Sequence, residues 1–493
     1  MSIEELVEVV HGKRAWLGSK EEAKQLFFTN IFGATDGRYP QQAANSVTLR
    51  APQISAEENV RYAAYIHPTN PDSGAYGGMS VAIFPAADGA HPCLLTFVVG
   101  TSGLSPDDHI LGRPGHARKV QALCAWLNEK HGKGAFVAWA KQDPVRTDLA
   151  APDTVVRGFA DYRPAFDKYG RELYAIYRPS TDLEATREAV TAFLDLMFQE
   201  RGHKTVARHD SEADRIEAEW FAHLMPDVSR QDVAVLLRSR RYVVIQGPPG
   251  TGKTRMALEL LRDEYADNGK SIQFHPNTTY ENFVGGLAPR LSDTGLGLQF
   301  APAQGSLMEA AAAAKADPDH PYLLHIDELN RADLGKVLGE AIYLFEPDES
   351  PRRIELAYEF GDPPSKSLSL PPNLHVLGTM NSTDRSLAIV DVAVRRRFAF
   401  VKLWPQPSVV DAQQSAVMTD AFRELERIFI EHASGETFDL VPGHSYFLIK
   451  DGDDAKRRLQ VTLVPLLEEY LSQGYVGGFA EQIRSYLQWV DSL

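Results

Sequence analysis

Eight residues constrain this chain more than any others: Gly247, Pro248, Pro249, Gly250, Thr251, Gly252, Lys253 and Thr254. They match G-x-x-x-x-G-K-[ST] without departure. Tyr242–Ile245 before them reads as a buried strand, and Met256–Tyr265 after them reads as a helix. A strand, a glycine-rich loop and a helix in this order wrap an anion with backbone N–H groups, and a side chain at the glycines would block that approach. The helix N-terminus adds partial positive charge. The spacing sends Lys253 to the β and γ phosphates of a nucleoside triphosphate and the Thr254 hydroxyl to Mg2+. All eight residues are therefore expected to hold ATP or GTP, and nothing in them reads the base.

Two further strand ends supply polar groups. Tyr322–Ile326 reads as a central strand ending in Asp327 and Glu328. A lone acidic pair suits a solvated turn equally well. Behind a complete phosphate loop it reads as a metal ligand, Asp327, and a base for the attacking water, Glu328. His325 inside that strand reads as a hydrogen-bonded core histidine. Leu374–Met380 forms a third strand ending at Asn381, which taken by itself is only a polar loop residue. Arg395, Arg396 and Arg397 follow an apolar helical stretch, Leu387–Val394, and precede a strand at Phe398–Leu403. Guanidinium forks stabilise charge on a transferring phosphoryl group, so Arg396 and Arg397 are expected to reach a neighbouring subunit. A solvated basic patch or a nucleic-acid contact is the alternative.

Met380-Asn-Ser-Thr-Asp-Arg-Ser386 resembles the MNxxDRS signature of the McrB family of AAA+ proteins, motor subunits of modification-dependent restriction systems. Ile326–Ala332, Phe274–Phe283, Gly443–Phe447 and Pro465–Tyr470 resemble other segments of that family, in the same order, over about half of the chain (235–475). The resemblance implies a parallel α/β AAA+ core with a helical lid. It makes Asn381 the sensor residue, has Asp384 position the hydrolytic water, and brings Arg385 to the nucleotide or a stimulating partner. Asp384 and Arg385 could instead pair locally. It implies a ring, a hexamer in the family, a separate McrC-like nuclease subunit, and DNA as target. The runner-up is a protein-remodelling chaperone of the MoxR-like kind, which shares the phosphate loop and acidic pair.

The expected division is an α+β targeting domain at 1–200, a linker and leading helix at 201–234, the core at 235–402 and the lid at 403–493. Strands are expected at Met79–Phe84, Cys93–Gly100, Phe136–Ala140 and Leu173–Tyr177. A base-flipping reader in the first domain needs an aromatic pocket with a basic rim. Trp16, Tyr39, Tyr65, Tyr76, Trp126 and Trp139, with Arg113, Arg118 and Lys119, are the residues available, although such aromatics more often form core and such a trio a solvated face. His109 and His116 lack the rest of a metal site. Glu22-Ala-Lys24 has nuclease-like spacing but sits in a helical pattern, so any cutting is expected from another chain.

A net charge of −15 argues against a polybasic coat for nucleic acid, though not against a local basic groove. Cys93 and Cys124, in no CxxC pair, read as buried thiols of a cytoplasmic protein. The N-terminus has no signal-peptide core, and no run of about 18 apolar residues predicts a membrane span.

Overall fold

The computed structural model describes residues 3–33, 36–50, 60–71, 73–87, 91–291, 298–346, 352–361, 364–383, 392–450 and 454–493. They form two compact units, Met1–Pro226 with Ile430–Ala433, and Asp227–Phe429 with Ser434–Leu493.

In the first unit, β1 (Thr48–Arg50), β2 (Ala63–Ile66), β3 (Met79–Phe84), β4 (Leu94–Val99), β5 (Ala138–Ala140) and β6 (Leu173–Tyr177) make an antiparallel sheet in the order β1-β2-β3-β4-β6-β5. Every residue of β3, β4 and β6 is buried, which is why these strands read as continuous apolar runs rather than alternating ones. β1 and β2 are too short to carry a period. The helices around the sheet include α1 (Glu4–His11), α2 (Pro114–Gly132) and α3 (Leu183–Glu200).

The charged stretch after Arg201, expected as linker, runs into α4 (Ala207–Phe221) within this unit. Its anchor is Arg38, fully buried, whose guanidinium bonds both oxygens of Asp195 (2.7 and 2.5 Å) on α3 and Glu212 (2.6 Å) on α4. A buried charge is tolerated only when paired this completely, and the pair needs both helices in place. Charge in α4 thus marks a packed face, opposite to what charge density alone suggests.

Of the aromatics proposed for a base pocket, Tyr39, Tyr65 and Trp126 are core residues, while Trp16, Tyr76 and Trp139 are half-buried. Arg113 and Lys119 pair with the buried carboxyl of Glu200, Lys119 at 3.1 Å, so they do not line a solvated face. Burial works to raise the Glu200 pKa, but His116, Lys119 and Arg113 hold it down to about 2. Both cysteines are buried free thiols.

The second unit is built on a five-stranded parallel sheet, β15-β7-β14-β11-β8, from β7 (Tyr242–Gly247), β8 (Gly269–Gln273), β11 (Tyr322–Asp327), β14 (Leu374–Asn381) and β15 (Ala399–Lys402). Alternate residues face opposite cores. Val243, Ile245, Leu323 and Leu377 pack with α5 (Arg230–Arg240) and α6 (Lys253–Glu264); Tyr242, Val244, Leu324, Ile326 and Val376 pack with α7 (Ser306–Ala316) and with Phe345 and Phe398. This is a parallel α/β sheet covered on both faces. Strand β8 and two hairpins, β9 (Gly285–Leu291) with β10 (Leu298–Gln304) and β12 (Ile354–Phe360) with β13 (Ser365–Leu368), were not expected from the sequence. Leu291, Leu298 and Phe300 are 80%, 69% and 70% exposed, so β9 and β10 gain no buried face to give them a period. The C-terminal part is helical, with α8 (Ala416–His432), α9 (Ala455–Ser472) and α10 (Ala480–Ser492). Among the described residues, no helix is long and apolar enough to cross a membrane.

Candidate functional site

Three neighbouring parallel strands, β7, β14 and β11, end at one edge of the sheet. Asn381 stands in register with Gly247, and Gly378 with Ile326. The carboxyl edge of such a sheet is where open α/β folds bind ligands.

The phosphate loop leaves β7 at that edge. Gly250 and Gly252 both have φ of +80°, a conformation that a side chain would strain. The Thr251 hydroxyl donates to Pro248 O at 3.0 Å. Lys253 is buried, and its Nζ donates to Gly247 O (3.0 Å) and Pro248 O (2.7 Å), so its ammonium lies within the curl of the loop. Thr254, on the first turn of α6, donates its hydroxyl to Asp327 Oδ1 at 3.0 Å, and the Thr379 hydroxyl bonds the same oxygen. Hydroxyl and carboxylate oxygens without nitrogen or sulfur are the donor set that suits Mg2+ completed by phosphate and water. Among the described residues no group of three or more His, Cys, Asp or Glu side chains is placed to hold a metal ion.

Glu328 sits one residue beyond the strand in a left-handed conformation, φ +53°. Backbone of that kind in a non-glycine residue costs about 1–3 kcal/mol and persists where its surroundings hold it. Asn381 supplies the hold: its Nδ2 donates to both carboxylate oxygens, at 3.1 and 3.3 Å. Arg331 adds an ion pair at 3.4 Å. Asn330, 3% exposed, donates its Nδ2 to the Asn381 carbonyl at 3.2 Å, tying the acidic turn back to β14. His325 is fully buried with Nδ1 at 2.8 Å from the Ser271 hydroxyl; burial, partly opposed by Asp327, lowers its pKa to about 4. It is a neutral core residue.

The arginine run divides. Arg397 is buried, bonded to Ala393 O at 2.9 Å and paired with Glu346 at 3.1 Å. Arg396 keeps 65% of its side chain exposed, with Glu346 at 3.8 Å. Arg395 stacks its guanidinium over Phe400, 5.4 Å from the ring centre. Asp384 and Arg385 lie outside the described residues.

The segment Gly443–Phe447, expected by resemblance to belong to the lid, docks on the phosphate loop. Gly443 N donates to Pro249 O at 2.9 Å and Ser445 N to Gly250 O at 3.0 Å. A Cβ on Gly443 would lie 2.1 Å from the Gly250 carbonyl carbon, so only glycine permits this approach. Its signal in the sequence was that glycine, followed by residues too mixed in polarity for a helix face. Thr379 and Glu346 were missed because each acts through a partner far away in the chain, Asp327 and Arg397 respectively.

The model of the AAA domain (dynein-related subfamily) matches residues 242–398. The type IV methyl-directed restriction enzyme EcoKMcrB subunit of Escherichia coli (strain K12) is 28% identical over 340 residues, covering 62% of this chain and 71% of that protein. The type II restriction enzyme BsuMI component YdiS of Bacillus subtilis (strain 168) is 24% identical over 202 residues, covering 34% of this chain and 58% of that protein.

Proposed function

We propose that this chain, which belongs to the McrB-like AAA+ family, is the nucleotide-hydrolysing motor subunit of a restriction system directed at DNA. The observation that carries the reading is the pairing of Thr254 with Asp327 and of Asn381 with Glu328 along one sheet edge beside the phosphate loop. That is a metal-ligand pair and a water-handling pair, side by side.

In this reading Gly247–Thr254 wrap the phosphates of ATP or GTP, and Lys253 turns from the loop carbonyls to the β and γ oxygens. Thr254 and Asp327 hold Mg2+, which when bound neutralises charge on those oxygens. Glu328 accepts the proton of the water that attacks the γ phosphorus, Asn381 orients that water, and the bond to the β–γ bridging oxygen breaks to release inorganic phosphate. Arg396, exposed, reaches the phosphates of a neighbouring copy in a ring, a hexamer by resemblance, and Arg397 holds the turn that presents it. Asp384 and Arg385 complete the water and partner contacts. An McrC-like nuclease subunit does the cutting, and the 1–200 domain selects DNA in the cytoplasm. The core at 235–402 and the lid at 403–493 form the motor.

The test is Glu328→Gln in the full chain. It should bind ATP or GTP with wild-type affinity and release no phosphate. Phosphate release at the wild-type rate would sink the assignment.

A further inference from the structure

His444 lies against the phosphate loop with its protonation and direction both fixed. Backbone bonds on either side, Gly443 N to Pro249 O and Ser445 N to Gly250 O, pin the residue to the loop. Its Nδ1 accepts the Gln406 backbone N–H at 3.1 Å. An N–H donor facing Nδ1 requires a lone pair there, so in the neutral ring the hydrogen sits on Nε2. The ring is neutral: burial first, and Arg255 second, lower its pKa to about 4. The Nε2–H lies 3.7 Å from the position a Cβ on Gly252 would take, and it makes no hydrogen bond to any other described residue. Gly252 is the loop residue between Thr251 and Lys253, where backbone N–H groups turn toward the phosphates.

We propose that His444 is a nucleotide-binding residue whose Nε2–H donates to the phosphate chain of a nucleotide seated on Gly247–Thr254. A donor beside backbone N–H groups that wrap phosphates is suited to an anionic acceptor. The residue belongs to the C-terminal helical segment, so it also ties the position of that segment to occupancy of the loop. The inference rests on the nucleotide-binding reading above and adds a contact from outside the loop.

The experiment separates the two ring nitrogens. In His444→Asn the side-chain oxygen can still accept from Gln406 N–H, but the amide cannot reach Gly252. In His444→Gln the terminal amide takes the place of Nε2 and still donates. Binding of ADP and of GDP, with Mg2+, is measured by calorimetry on the full chain. His444→Asn should weaken both by about tenfold, and His444→Gln should stay within about threefold of wild type. Wild-type affinity in His444→Asn overturns the proposal, and so does equal weakening in both variants, which would mean the ring only packs. If the wild type binds neither nucleotide, the nucleotide-binding reading itself fails, and Lys253→Ala will then match wild type.

Discussion

Asn381 bonds both carboxylate oxygens of Glu328 with a single side-chain amide. The pair links the ends of two strands that have no residues in common with the phosphate loop, yet together they face it. Asn381→Ala should leave nucleotide affinity intact and lower kcat by about 100-fold, the scale seen when one positioned polar donor is lost. Steady-state phosphate release alongside calorimetry checks this; a matched loss of affinity and rate would assign Asn381 to binding instead.

Lys253 is the only cation among the eight loop residues, and its Nζ is held by two loop carbonyls. Lys253→Ala should abolish measurable nucleotide binding at millimolar concentration while leaving the fold intact, since its ammonium bonds carbonyls of the loop it serves. Circular dichroism reports the fold and calorimetry the binding. Unchanged affinity would remove the loop from the mechanism.

Arg396 and Arg397 should separate on substitution. Arg397→Ala leaves Glu346 without its closest partner and should destabilise the second unit by about 2–3 kcal/mol. Arg396→Ala should melt like wild type but hydrolyse nucleotide at a rate lower by about 10³-fold. Mixing Arg396→Ala with Lys253→Ala should recover activity, because a ring then contains some interfaces with both an intact arginine and an intact lysine. No recovery at any mixing ratio argues that Arg396 does not act in trans.

Stability should fall steeply in mild acid. His325, His375 and His444 are buried, and burial chiefly holds each pKa down to about 4. Each is neutral when folded and takes up a proton on unfolding below its free value of about 6.5. Their contribution is therefore complete above pH 6.5 and is lost as pH falls toward 4. Near pH 5 the three together give a slope of about 3–4 kcal/mol per pH unit. Denaturant unfolding between pH 7.5 and 5 measures the slope, and His375→Gln should remove about a third of it. A flat profile would contradict the burial of these rings.

The parallel sheet was legible because its strands are buried on both faces and stop at residues with chemistry: Gly247, Asp327 and Asn381. The sequence also marked Lys253, Thr254 and Glu328 through fixed local spacing. What it concealed was non-local. Nothing near Arg38 says that Asp195 and Glu212 will neutralise it, so α4 passed for a linker. The β9–β10 hairpin exposes the apolar residues that would otherwise have revealed it. Arg396 and Arg397 are adjacent and chemically identical, and what sets Arg397 apart is its burial with closer contacts to Glu346 and Ala393 O. His444 acquires its direction from Gln406 and its target from Gly252, neither of them a sequence neighbour.

The pairing of Asn381 with Gly247 also has a meaning for assembly of the fold. Parallel strands so far apart in the chain close late, because the loop between them must be ordered before their contacts form. A slip of one residue would turn Asn381 to the opposite face of the sheet and away from Glu328. The hydrolytic pair is thus a readout of finished register: no local fragment brings Asn381 to Glu328. A nucleotide that binds only the closed sheet raises its stability by mass action, so the substrate doubles as a folding ligand for the unit that consumes it.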